Sequence, residues 1–166
     1  SPDLLFDVAL SAYSTCLDCI NSGTVPTYTR SIKADTVWNL ANRVQGQNIA
    51  VAVVDSGIIG SRDFSEGTED SRIVASINFA GNAGSVDDRY GHGSHIAGII
   101  AGNGSRSAQR YSGVAPKAKL VDVRVTNDLG IGSTSDVVAG LQWIFDNRNT
   151  YNIKVVNVSL NSSVAE

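Results

Sequence analysis

Six apolar residues, Ile49-Ala50-Val51-Ala52-Val53-Val54, run without interruption into Asp55-Ser56-Gly57. A strand with one wetted face alternates apolar and polar side chains, so a run without alternation predicts a strand covered on both faces. Layers must then lie above and below it. Further runs predict strands over Arg72 to Phe79, Lys119 to Val125 and Lys154 to Leu160. Helical spacing between them predicts helices over about His92 to Ala101 and Ser135 to Asp146. The order after residue 48 is β-β-α-β-α-β, which predicts an α/β fold of three layers, αβα, around a mostly parallel sheet.

Upstream of that core, Leu4, Leu5, Val8, Ala9 and Ala12 recur at helical spacing behind Ser1-Pro2-Asp3 and predict a first helix. Asn21-Ser22-Gly23-Thr24-Val25-Pro26 is turn chemistry and reads as a linker. A second helix is predicted from Ala34 to Val44, with Val37, Leu40, Ala41 and Val44 on one face and Gly46 just past its end. Residues 1–30 read as an amino-terminal extension or the junction of a longer precursor, and residues 31–166 as the main domain.

At 42% hydrophobic residues, the 166-residue chain has enough apolar mass for one soluble globular core. A net charge of −3 and no block of Lys or Arg argue against a nucleic-acid partner. No apolar run approaches the roughly 20 residues of a spanning helix, so no membrane partner is expected. The first seven residues carry two acids and no base, and do not read as a signal peptide. Cys16 and Cys19 stand in a C-x-x-C spacing, read here as a local disulfide or two inert thiols in preference to a redox or zinc motif.

Ligands of open parallel sheets bind at the carboxyl ends of strands, which directs attention to Asp55. A carboxylate straight after six apolar residues is costly unless hydrogen-bonded or charge-paired. The second feature is Gly91-His92-Gly93-Ser94-His95-Ile96-Ala97-Gly98-Ile99-Ile100-Ala101-Gly102, whose small residues permit close approach of a helix to a neighbour. His92 opens that helix, where the dipole favours a neutral imidazole and so a general base. A zinc reading of His92 and His95 lacks the H-E-x-x-H pattern and a third ligand, and no metal site is assigned.

Val51-Ala52-Val53-Val54-Asp55-Ser56-Gly57-Ile58 resembles the aspartate motif of the subtilisin-like serine proteases, and His92-Gly93-Ser94-His95-Ile96-Ala97-Gly98 resembles their histidine motif. Gly113 to Leu120 with Val123-Arg124-Val125, and Val155-Val156-Asn157-Val158-Ser159-Leu160, resemble two later blocks in family order. The resemblance covers roughly residues 30 to 166. It implies a serine endopeptidase in which Asp55 orients His92, and His92 carries the proton between a serine hydroxyl and the leaving amine.

That serine has no counterpart in the sequence. No Gly-Thr-Ser-x-Ala segment and no G-x-S-x-G occurs among the 166 residues. The expectation is an amino-terminal part of a protease, inactive alone, whose partner is a carboxyl-terminal portion or second chain carrying the nucleophile. The alternative is a catalytically inactive binding or inhibitory module of the same fold.

For a polypeptide substrate, the resemblance implies a cleft bounded by Gly130, Ile131 and Gly132 on one side and Ser159, Leu160 and Asn161 on the other, with Leu160 and Thr134 around an apolar subsite. Asn161 stands where the family usually has Gly. No cofactor is required. Structural calcium is common in the family, with Asp63, Asp87 and Asp88 as available oxygen ligands, although solvated surface acids is the preferred reading of these three. The resemblance also implies an extracellular protein.

Overall fold

The computed structural model describes residues 27–40, 42–66, 70–81 and 86–161. The expected helix near residues 4–12, the 21–26 linker and the Cys16–Cys19 pair lie outside the described residues. Two short helices, α1 (Thr27–Ser31) and α2 (Ala34–Trp38), precede strand β1 (Ala50–Asp55). A two-residue hairpin follows, β2 (Ser65–Glu66) with β3 (Asp70–Ser71), and then β4 (Ile73–Asn78). Helix α3 (His92–Ala101), strand β5 (Lys119–Arg124), helix α4 (Thr134–Asn147) and strand β6 (Ile153–Val158) complete the order. The strands and helices expected from residue 48 onward all form, within a residue or two of the expected bounds. The β2–β3 hairpin was not foreseen.

The main sheet has the order β4-β5-β1-β6 and is parallel throughout. β1 pairs on both sides, and all six of its residues are buried. Its side chains alternate between two cores. Ala50, Ala52 and Val54 join Val121, Val123, Val125 and Ile144 of α4, while Val51 and Val53 join Leu120 with Ala97 and Ala101 of α3. The helices therefore cover opposite faces, which makes three layers.

Small residues bring each helix down onto the sheet. In α4, a Cβ at Gly140 would sit 2.9 Å from a methyl of Val123. Ser133 starts that helix with a reciprocal cap: its hydroxyl accepts from the Asp136 amide, and the Asp136 carboxylate accepts from the Ser133 amide. At the far end of α3, the buried Arg72 guanidinium donates to Ala101 O at 2.7 Å, Ala118 O at 2.6 Å and Asp63 O at 2.6 Å. A cation at carbonyls of the last turn is where the helix dipole favours one.

The second helix is shorter than its apolar spacing predicts. It stops at Trp38, and the chain before it breaks at Lys33, whose φ is 59°. The Asn39 side chain takes the Asp35 carbonyl at 2.8 Å, and the Asn39 amide closes onto Thr36 O, so local polar competition ends the helix. The Trp38 indole then donates to Val114 O at 3.0 Å. Leu40 and Val44, placed on the helical face by the sequence reading, lie exposed.

Candidate active site

Asp55 is the last residue of β1 and is only 3% exposed. Its carboxylate accepts from the Ser56 amide at 2.7 Å, and His92 Nδ1 lies 2.8 and 2.9 Å from its two oxygens. That contact fixes Nδ1 as the protonated nitrogen, which leaves the Nε2 lone pair on the opposite side of the ring. The imidazole is 41% exposed, so a reactant can approach it.

Two features of the chain put the ring there. Gly91, at φ 88°, turns the backbone into α3 directly before His92. Gly93 presses the first turn of the helix against the loop after β1: a Cβ there would stand 2.2 Å from Gly57 O and 3.1 Å from Asp55 Cβ. Any side chain at 93 would push the helix and the carboxylate apart.

Asp88 holds this turn from below. It is buried, and its carboxylate accepts from the Gly91 amide at 2.7 Å, the Ser94 amide at 2.8 Å and the Ser56 hydroxyl at 2.8 Å. The Ser56 hydroxyl oxygen in turn accepts from the Gly93 amide at 3.0 Å. An anion here meets unpaired amides at a helix start, the place where it is most favoured. Asp88, read from the sequence as a solvated acid or calcium ligand, is instead an internal brace. Asp63 is engaged elsewhere, accepting from the Arg106 amide at 2.8 Å. Among the described residues no group of three His, Cys, Asp or Glu is placed to hold a metal ion, so the three acids do not fit a common calcium site.

The implied substrate segments flank Asp55. Because β5 and β6 pair on either side of β1 and all run parallel, residues after both strands leave the same end of the sheet as Asp55. Two strand spacings separate them, about 10 Å. On one side Thr126 bridges to Gly132, Gly130 adopts φ 76°, and Ile131 is exposed. Thr134 is the first residue of α4, so segment 130–134 is at once a turn and a helix start. On the other side, Leu160 packs half-buried on the α4-side core, the Asn157 side-chain Nδ2 donates to Ser159 Oγ at 2.8 Å, and Asn161 is exposed.

Sequence reasoning missed the burial of three polar residues, Asp88, Asp122 and Arg124. The signal for the last two was legible as charges two apart in Leu120-Val121-Asp122-Val123-Arg124-Val125, which period-two alternation places on one face. That face is the α3 side. Neither carboxylate oxygen of Asp122 makes a hydrogen bond of ordinary geometry. Burial raises its pKa to about 7, aided by the nearby Asp88 charge and opposed by the Ile58 backbone, the Ser76 hydroxyl and Arg124.

In this three-layer α/β fold a buried carboxylate at a strand end is set against a histidine at the next helix start, an arrangement able to pass a proton through the imidazole. Residues 46–166 match the model of the subtilase family, peptidase S8. The chain belongs to the subtilase family of serine proteases. It is 33% identical to the serine protease AprX of Bacillus subtilis over 70% of its length and 25% of that protein. It is also 33% identical to subtilisin DY of Bacillus licheniformis over 82% of its length and 45% of that protein. The major intracellular serine protease of Bacillus subtilis matches at 30% over 93% of this chain and 46% of its own. A crystal structure of a cold-adapted subtilisin-like serine proteinase superposes with a TM-score of 0.51 at 32% identity, covering 62% of this chain and 34% of that one. The chain thus spans between a quarter and a half of the length of these curated relatives.

Proposed function

We propose that the protein to which this chain belongs is a serine endopeptidase in which Asp55 and His92 are two members of an Asp-His-Ser triad. The observation that carries the reading is the contact of His92 Nδ1 with both oxygens of the buried Asp55, at 2.8 and 2.9 Å. With Nδ1–H donated to Asp55, Nε2 takes the proton of a serine hydroxyl as that oxygen attacks the peptide carbonyl. Nε2 then delivers the proton to the departing amine, and an acyl-enzyme remains for water to open. Asp55 holds the tautomer and stabilises the imidazolium without taking the proton itself.

The nucleophile is supplied from outside residues 1–166, which contain no Gly-Thr-Ser segment. An extended polypeptide enters between segments 130–132 and 159–161 and pairs with them as an added strand. Thr134 and Leu160 bound an apolar subsite in this reading. An extracellular site of action follows from the family resemblance alone; the relatives include one whose name is intracellular.

Replacing His92 with Ala in the complete protein tests the assignment. Peptidase turnover falls by about 10⁴- to 10⁶-fold, the range that triad members show in subtilisin itself, with the folded structure kept. Turnover within twofold of the parent would refute the assignment. A complete protein that is folded yet cleaves nothing before mutation would support an inactive module of the same fold.

A further inference from the structure

Arg124 is the last residue of β5 and its side chain is almost completely buried, 1% exposed. Its guanidinium reaches three places at once. Nε donates to Thr126 O at 3.0 Å, one terminal nitrogen donates to Asp87 O, and the other meets Asp128 Oδ1 at 2.6 Å. Thr126 and Asp128 belong to the turn that carries Gly130 to Gly132, whereas Asp87 adjoins the brace Asp88 four residues before His92. The two segments touch a second time: Arg89 Nε lies 3.8 Å from the other oxygen of Asp128, and the Tyr90 ring sits where a Cβ on Gly130 would come within 2.6 Å of it. Within the turn, the Asn127 carboxamide accepts from the Leu129 and Ile131 amides at 2.9 and 3.1 Å.

We infer that Arg124 and Asp128 are positioning residues that hold the 130–132 edge in register with His92. The inference rests on the proposed peptidase reading of that edge. The exposed Arg89–Asp128 pair adds little, since solvated ion pairs are weak. The Arg124–Asp128 contact differs because one charge is desolvated, and removing its anion leaves the cation buried with one fewer partner. The turn is then free to shift relative to the imidazole. A substrate long enough to pair with 130–132 feels the shift, and one confined to the reacting carbonyl does not.

The test compares, in the complete protein, a peptide anilide with four residues before the cut and an ester of a single amino acid. For Asp128→Asn the ratio of kcat/KM on the peptide to kcat/KM on the ester falls about tenfold, chiefly through KM, while the melting temperature stays within a few degrees. Arg124→Lys, which keeps charge but loses the planar fork, shifts the ratio in the same direction. Should that buried variant fail to fold, Asp128→Asn decides alone. Equal losses on both substrates, or no loss on either, overturn the inference. His92→Ala run beside them separates the two levels: if it spares ester hydrolysis the peptidase reading fails, and if it abolishes both reactions while the Asp128→Asn ratio is unmoved, only the positioning role fails.

Discussion

At the residue scale, the Asp55–His92 contact depends on a neighbour with no side chain. Gly93→Ala would place a methyl 2.2 Å from a backbone carbonyl, which cannot move like a flexible side-chain tip. The substitution is expected to cost about 1–3 kcal/mol by overpacking and to lengthen the carboxylate–imidazole contact. Lowered melting temperature together with at least a tenfold loss of turnover would show both effects; an unchanged melting temperature would contradict the packing account. Asp122 gives a prediction of another kind. Its folded pKa of about 7 lies above the unfolded value of 3.8, so the folded state holds a proton the unfolded state has lost between those values. Stability from this group is complete below 3.8, declines as pH rises, and is gone above about 7. Asp122→Asn, which mimics the protonated form, should flatten unfolding free energy across that window and leave the protein more stable than the parent at pH 8. Parallel pH profiles for the two proteins would sink the idea. Asp55 and His92 were legible because each stands in a short motif with a chemical reason for its neighbours. Asp88 read as a surface acid, and the spacing of Asp122 and Arg124 put them on one face without showing that the face is buried, because burial is set by what packs there and not by the strand's own sequence.

At the scale of elements, sequence pattern worked where packing and pattern agree. The unbroken apolar run became a strand buried on both faces, and the glycine- and alanine-rich stretch became α3 with bounds His92–Ala101. It failed where local hydrogen bonds override spacing, as at Asn39, whose amide and side chain end α2 after five residues. The start of α3 carries a prediction: Asp88→Ala strips an acceptor from the Gly91 and Ser94 amides and the Ser56 hydroxyl. A loss of about 1–3 kcal/mol is expected from the unsatisfied buried donors, with Asp88→Asn recovering part of it. Denaturant unfolding of both variants checks the order, and an Ala variant as stable as the parent would contradict the brace.

At the scale of the whole molecule, the described sheet is covered on both faces at its centre and loses that cover at the β6 edge. β1 is wholly buried, yet Val155, Val156 and Val158 of β6 are between 41% and 49% exposed. Parallel strands are normally covered on both faces, and contiguous exposed apolar surface promotes association. Residues 1–166 produced alone should therefore self-associate at micromolar concentration, seen as oligomers by light scattering; a monodisperse monomer would contradict this. Family membership was legible in the order of four sequence blocks. The proposed nucleophile was legible only as a missing motif, because a triad is an arrangement in space and its third member need not lie near the others in the chain.

The most direct measurement is covalent labelling of the complete protein with a serine-directed fluorophosphonate, followed by peptide mapping, for the parent and for His92→Ala. The account predicts a single labelled serine outside residues 1–166, and loss of that label in the variant while it remains folded. A label within residues 1–166, or one undiminished when His92 is removed, would contradict the assignment of Asp55 and His92 as two thirds of a triad.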